Sequence, residues 1–336
     1  MNEMTGTTSR DRRPEGQTMF EQTRWVWMDG DVVVWNDATV HISSHALHYG
    51  TGVFEGIRCY ETDDGPAIFR ADAHLDRFYA SAAVYGLRIP FPSEHLTEAM
   101  CAIIRLNGFQ SCYIRPICYY GSRSLGLLPD RCPVHVGILA WPWNTMHGNE
   151  ALQRGVHIGL SRWTKFHSTM MPTTAKACGQ YINSILALRE AVSEGFDEAL
   201  LLDLGGNLCE GSGENLFLVK NGIVLTNDER HSILMGVTRE TVITIARDLG
   251  IPIETRDLRL EELSSADEAF FTGTAAEVTP IRALDGKSIG NGRRGPITER
   301  IQQKFFSLVS GREPAYSTWL HRVPTGMTEA GISGSA

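Results

Sequence analysis

Five segments with helical apolar spacing interrupt, at irregular intervals, a chain otherwise made of strand-like runs, and that order leaves few architectures open. The helical segments are 72–85, 180–194, 238–249, 297–309 and one from Ser93 to just before Asn107. In the first, Leu75, Phe78, Tyr79, Ala82 and Ala83 share a face, with Asp72 the expected N-cap and Gly86 the stop. In 238–249 the face is Val242, Ile245, Ala246 and Leu249, ended by Gly250. Around them, 25–35 alternates about Asp29-Gly30-Asp31 as a β-hairpin. Further strands are expected at 52–60, 67–70, 112–120, 134–143, 155–161, 199–203, 208–209, 216–220, 222–225 and 269–272. A doubly wound βαβ sheet needs one helix per strand. The spacing here predicts an α+β fold instead.

Polar, turn-prone residues at 144–150, among them Asn144, His147, Gly148 and Asn149, mark a linker. They separate a unit at 23–143 from a larger one at 151–322. A polar arm (1–22) and a small-residue tail (323–336), expected to be disordered, flank the two. A net charge of −8 argues against nucleic acid or an anionic membrane as partner. No apolar run reaches the roughly 20 residues that cross a bilayer, and 1–22 lacks the apolar stretch of a secretory signal. Seven cysteines without a CxxC pair read as reduced core thiols of a cytoplasmic protein. His41, His45 and His48 imitate metal-ligand spacing. A strand period would put His48 opposite the other two, and no carboxylate cluster accompanies them, so they read as structural and no metal is expected.

Several segments carry possible chemistry, each with an ordinary reading beside it. Lys176 sits among small uncharged neighbours in Pro172-Thr173-Thr174-Ala175-Lys176-Ala177. If buried, its amine would lose its proton readily and suit Schiff-base chemistry; otherwise it is a loop lysine. The stretch from Cys209 to Phe217 places Glu210 and Glu214 in a glycine-rich turn that lets a flat ligand approach, or is simply a hairpin. Gly236, Val237 and Thr238 open a helix whose free amides and hydroxyl suit a phosphate, or show ordinary capping by Thr238. Gly273-Thr274-Ala275-Ala276 is a second candidate anion-binding turn. Arg115 interrupts the apolar strand around Tyr113, which is costly unless it meets a substrate carboxylate or a structural ion pair. Arg77 lies on the first helix.

Taken in order, these motifs resemble the branched-chain amino acid aminotransferases, fold-type IV enzymes of the class IV aminotransferase family. The resemblance runs from Trp25 to Leu320. It rests on His48-Tyr49-Gly50, Val53-Phe54-Glu55-Gly56-Ile57-Arg58, His74-Leu75-Asp76-Arg77, Tyr113-Ile114-Arg115-Pro116, the lysine segment, the stretch from Glu210 to Phe217, Gly236-Val237-Thr238-Arg239 and Gly273-Thr274-Ala275-Ala276-Glu277. It implies pyridoxal 5′-phosphate (PLP) held covalently by Lys176, between a small α/β N-terminal domain and a larger C-terminal pseudo-barrel. Glu210 would face the pyridine nitrogen and Tyr181 the 3′-oxygen. Arg77, Val237, Thr238 and Thr274 would hold the phosphate. Tyr113 with Thr274 and Ala275 would take the substrate α-carboxylate, and Arg115 the distal carboxylate of glutamate. Phe54, Arg58 and Trp143 would border the side-chain pocket, with Tyr49 arriving from the partner of a homodimer or higher homo-oligomer.

The implied activity is ping-pong transamination of leucine, isoleucine or valine with 2-oxoglutarate through pyridoxamine phosphate, in branched-chain amino acid biosynthesis. The same fold also hosts transaminases of D-amino acids and (R)-amines and aminodeoxychorismate lyases, and a non-enzymatic PLP-binding regulator is a third reading. Two departures concern the substrate side. Asn144-Thr145-Met146 lacks a tyrosine that relatives use on the distal carboxylate, and Arg123 is an additional cation near a substrate loop.

Overall fold

The computed structural model describes residues 22–143 and 146–324; the arm up to residue 21, Asn144, Thr145 and the tail from residue 325 fall outside them. The first sheet is antiparallel throughout. Its central strand, Cys112–Tyr120, pairs along its length with Val134–Trp141, and on its other side with Gly52–Phe54 and Ile57–Thr62. The hairpin Trp25–Met28/Asp31–Val34 extends it, turning at Asp29 and Gly30 with φ of 50° and 108°. Helices Ala71–Val84 and Ser93–Leu106 bury Leu75, Phe78, Ala82, Leu96, Met100, Ile103 and Ile104 against it. In the first helix that is the core of the face its 3.6-residue period defines, though Tyr79 is half-buried and Ala83, expected on the same face, is exposed.

The run expected as one strand at 52–60 breaks at Glu55-Gly56. Glu55 turns inward toward Arg77 and His74. A Cβ on Gly56 would stand 1.9 Å from the Tyr113 hydroxyl, so only glycine passes there. Asp72 is not the N-cap of its helix: Arg70 holds that position at φ 50°, and Asp72 lies in the first turn. His45–Tyr49 is a short helix rather than a strand. Its ring nitrogens are satisfied locally: His45 by Thr51 Oγ1 at 2.8 Å and Gly126 O at 2.9 Å, and His48 by Ile42 O at 3.0 Å. All seven cysteines are free, six buried and Cys178 half-buried. No helix among the described residues is long and apolar enough to cross a membrane.

The second sheet closes on itself. Leu208–Gly211, Glu198–Leu202, Val156–Leu160, Glu277–Leu284, Glu268–Gly273 and Asn215–Lys220 pair in that order, and Glu210 opposite Asn215 completes a six-stranded barrel. Closure removes the exposed edges that an open sheet would leave. Ile223–Thr226 and Ile253–Thr255 continue outward from Asn215–Lys220. That strand is covered on both faces: Leu216 and Leu218 in one apolar cluster, Phe217 and Val219 in another beneath helices Val237–Asp248 and Pro296–Val309. Phe217 and Phe270 stack at 5.0 Å. Glu277–Leu284 is not among the expected strands, because Pro280 and the turn before it obscure its apolar run. The final strand, Leu320–Arg322, is expected within the larger unit but pairs with Ala67, Ile68 and Phe69 at the edge of the first sheet.

Candidate active site

Lys176 lies in a loop that is tied down at both of its backbone polar groups. Its N–H donates to Ser81 Oγ at 2.9 Å and its carbonyl accepts from the Phe54 N–H at 3.0 Å. The next residue, Ala177, bridges to Val53. Those contacts fasten the lysine to the first sheet and to helix Ala71–Val84. Beyond it a 3-10 turn, Cys178–Gln180, opens helix Tyr181–Ser193, so Tyr181 stands beside the lysine with 2.6 Å between Nζ and the hydroxyl. Burial, reinforced by the nearby Arg77 cation, pushes the ammonium down to about 8. Burial pushes the Tyr181 phenol up to about 12. The tyrosine thus keeps its proton over the range in which the lysine gives one up.

Arg77 is one turn before Ser81 on the same helix. Its Nε and Nη2 donate to the two oxygens of Glu55 at 2.7 and 2.9 Å, and its Nη1 to Met235 O at 3.0 Å. Glu55 is fully buried and also meets His74 Nδ1 at 2.9 Å. Burial alone would raise its carboxyl; Arg77 and His74 outweigh that and hold it far below the ordinary carboxylate range. The guanidinium is thereby fixed at the start of helix Val237–Asp248. Amides 237–239 of that helix precede its first backbone bond, Glu240 N–H to Gly236 O, and are the free donors of a helix N-terminus. Gly236 is the N-cap residue and no side chain caps the helix, so the capping reading of Thr238 is set aside. A Cβ on Gly236 would fall 2.1 Å from Asn215 Oδ1.

Glu210 is the penultimate residue of the strand Leu208–Gly211. It accepts from the Leu234 N–H at 3.1 Å and Asn215 Nδ2 at 3.3 Å through Oε2, while Oε1 lies 2.7 Å from Lys165 Nζ. Burial would lower the Lys165 ammonium, but Glu210 more than compensates and raises it. The residues expected to hold a cofactor (Arg77, Lys176, Tyr181, Glu210, Val237, Thr238 and Thr274) all line one cavity.

The residues expected to bind substrate divide. Phe54 packs against Tyr181 at 4.8 Å, with Lys176 Nζ 5.0 Å from its ring. Arg115 lies among aromatic faces, its Cζ 4.7 Å from Phe54, 5.4 Å from Tyr113 and 5.7 Å from Trp141. Its Nε is buried without a partner, and among the described residues no carboxylate pairs with it. Tyr113 contacts Trp143 at 5.4 Å. Ala275 follows Thr274 in the turn joining Glu268–Gly273 to Glu277–Leu284. Arg58 is committed to Glu277 at 3.1 Å and shares a separate depression with Trp143. Tyr49 is 43% exposed and donates to Leu125 O at 2.7 Å, away from the cavity of its own chain. Arg123 is exposed and Met146 half-buried.

Four contributors have no role assigned from the sequence: Lys165, which lies in no motif, and Glu55, His74 and Asn215, which lie inside the matching motifs. The hint for Lys165 is a basic residue amid Arg162-Trp163-Thr164-Lys165-Phe166, which is indistinguishable from a surface loop.

Residues 52–284 match the family model described as amino-transferase class IV. The branched-chain-amino-acid aminotransferase of Pseudomonas aeruginosa is 48% identical over 302 residues, covering 90% of this chain and 98% of the relative. That of Escherichia coli strain K12 is 43% identical over 300 residues, covering 89% and 97%. The crystal structure of an E. coli branched-chain amino acid aminotransferase superposes with a TM-score of 0.88 at 43% identity, covering 90% of this chain and all of that one. A T.th. branched-chain amino acid aminotransferase with pyridoxamine 5′-phosphate superposes with a TM-score of 0.87 at 46% identity, covering 90% and 99%. The chain belongs to the class IV aminotransferase family and has its fold.

Proposed function

We propose that this protein transfers the amino group of branched-chain L-amino acids to 2-oxoglutarate, using PLP. The observation that carries the reading is Lys176 Nζ, held 2.6 Å from Tyr181 and brought down to about 8, in a cavity bounded by Arg77 and Glu210. The donor set fits the cofactor: a carboxylate for a ring nitrogen, and free helix amides with a guanidinium for a dianionic phosphate. Bound there, PLP supplies a ring that takes up the electron pair left when an α-proton departs. Relatives crystallised with pyridoxamine 5′-phosphate and with N-(5′-phosphopyridoxyl)-L-glutamate support this choice.

Each side chain then has a task. Lys176 Nζ would hold the cofactor covalently, and as a free amine it would take the α-proton and return it. Tyr181 donates from its retained phenol toward the cofactor's 3′-oxygen. Glu210 would face the ring nitrogen and favour its protonated form, with Lys165, Asn215 and the Leu234 amide orienting the carboxylate. Arg77, the Val237 and Thr238 amides and Thr274 bind phosphate. Tyr113 and the Thr274-Ala275 turn take the α-carboxylate. Arg115 explains how one pocket serves two side chains: aromatic faces accept an aliphatic chain, and an unpaired guanidinium edge accepts the distal carboxylate. Phe54, Arg58 and Trp143 border that pocket.

The two units, 23–143 and 151–322, act as domains with the cofactor between them, and the working form is a cytoplasmic homodimer. Free cysteines support the compartment. Exposed Leu47, Leu127 and Leu128 near the outward-facing Tyr49 support a second copy docking there, bringing Tyr49 to the neighbouring site. Incubation of the PLP-loaded protein with leucine and 2-oxoglutarate should yield glutamate, and Lys176→Ala should abolish the yield. Absence of glutamate from loaded wild-type protein refutes the proposal.

A further inference from the structure

Three side chains from distant parts of the chain converge beside the lysine cavity. His147 lies in the connection between the two sheets, Glu198 begins the strand Glu198–Leu202, and Glu214 sits in the turn before Asn215–Lys220. Each presents one ligand atom, and these atoms lie within 4.8 Å of one another. Glu198 and Glu214 are 0% and 3% exposed. Both carboxylates divide their oxygens in the same way. Glu198 Oε1 accepts from the amides of Ala199 at 2.7 Å and Ser212 at 3.2 Å, and its Oε2 is buried without a partner. Glu214 Oε2 accepts from the Gly213 amide at 3.1 Å, and its Oε1 is buried without a partner. His147 Nε2 is likewise buried and unpartnered. Two ammonium groups lie nearby and neither bonds to these carboxylates: Lys165 is engaged by Glu210, and Lys176, which lines the same cavity as Glu214, by Tyr181.

Two facing carboxylates out of water, with no cation bonded to them, are costly unless something positive lies between. A cation placed between them would engage the two carboxylates and the imidazole nitrogen together, all three of which have an unpartnered atom. We infer that His147, Glu198 and Glu214 form a binding site for a divalent transition-metal cation. One imidazole nitrogen and two carboxylate oxygens suit zinc or manganese, and the nitrogen disfavours magnesium and calcium. Both carboxylates are out of water and close to one another, and a cation between them offsets both costs. Glu214 also lines the cavity that holds Lys176, whereas Glu198 and His147 do not. A cation there fixes the charge of one cavity wall and anchors the connection between the two sheets. The expectation of no metal rests on His41, His45 and His48, which are near one another in sequence; these ligands are spread over 67 positions.

The test needs no turnover, so its result is independent of the transamination proposal. Chelator-treated, dialysed holoprotein is titrated with Zn²⁺, Mn²⁺ and Mg²⁺ separately, and bound metal is measured by equilibrium dialysis. One Zn²⁺ per chain is expected, with Mg²⁺ far weaker. His147→Ala and Glu198→Gln should each weaken Zn²⁺ by more than the roughly 10–100-fold that outer-shell partners cost, while His95→Ala changes nothing. No Zn²⁺ uptake, or uptake that survives both substitutions, overturns the site. Should Glu198→Gln not fold, His147→Ala, in the connecting segment, decides alone.

Discussion

Lowering an amine from its usual 10.5 to about 8, as burial followed by the Arg77 charge does for Lys176, changes how much of it is free near neutrality. At pH 7 the unprotonated fraction rises from about 1 in 3,000 to about 1 in 10, a gain of roughly 300-fold in the reactive form. Capture of PLP by cofactor-free protein should follow that fraction. Between pH 7 and 8, above the phosphate ionisation at about 6, the capture rate should climb about fivefold, from about 1 in 10 free amine to about 1 in 2. Above about 8 it should level off. Absorbance would follow the rate, and borohydride reduction with peptide mapping would confirm attachment at Lys176. A rate still climbing tenfold per unit beyond pH 9 refutes the reasoning, because it would mean an ordinary lysine. Arg77→Gln should move the break upward, since it removes a neighbouring cation and leaves Glu55 unbalanced. The sign for stability follows from the same shift. The folded state binds fewer protons than the unfolded chain between about 8 and 10.5, so the penalty of burying Lys176 is complete below about 8 and is relieved as pH rises through that window.

Two substitutions probe the supports around it. Glu55→Gln keeps the shape but leaves the Arg77 guanidinium without its carboxylate; losing one partner of a buried pair costs about 3–5 kcal/mol, to be read by urea unfolding at pH 7. Because the folded Glu55 carboxyl is depressed, its contribution is complete above the unfolded value of about 4.3 and fades on acidification. The gap between wild type and variant should therefore narrow below about pH 4, and equal stability at pH 7 would contradict the pairing. Arg115→Leu should raise KM for 2-oxoglutarate by about 10–100-fold, the loss of one or two charge-assisted hydrogen bonds, while leaving KM for leucine within a few-fold. Equal losses for both substrates would place the distal carboxylate elsewhere.

What could be read from the residues alone was whatever a short segment decides for itself. The hairpin at Asp29-Gly30, the face of Leu75, Phe78 and Ala82, and the run Tyr113-Ile114-Arg115 each carry their signal within a dozen positions. Barrel closure does not. It depends on parallel pairing of Val156–Leu160 with Glu277–Leu284, more than a hundred residues away, and on the single pair Glu210 and Asn215. Glu55 shows the same limit within the expected strand 52–60: nothing nearby says that its carboxylate will leave the sheet for a guanidinium one helix later.

The site divides along the same line. Lys176, Tyr181, Thr238 and Thr274 offer donors and acceptors to a ligand, and ligand chemistry can be matched to residue type in a sequence. Lys165 and Glu55 instead serve other protein groups, and which group they serve is settled only when burial removes water as the competing partner. Lys165 makes the consequence concrete. The carboxylate that would accept a ring N–H already has an ammonium 2.7 Å from one oxygen and two weaker donors on the other. Glu210 is therefore oriented before any cofactor arrives, and a ring nitrogen placed there would join an existing network rather than create one. Preorganisation of that kind removes reorganisation cost from the binding step. It also means that Lys165, which no motif singled out, would set how firmly Glu210 is positioned for the proposed ring contact.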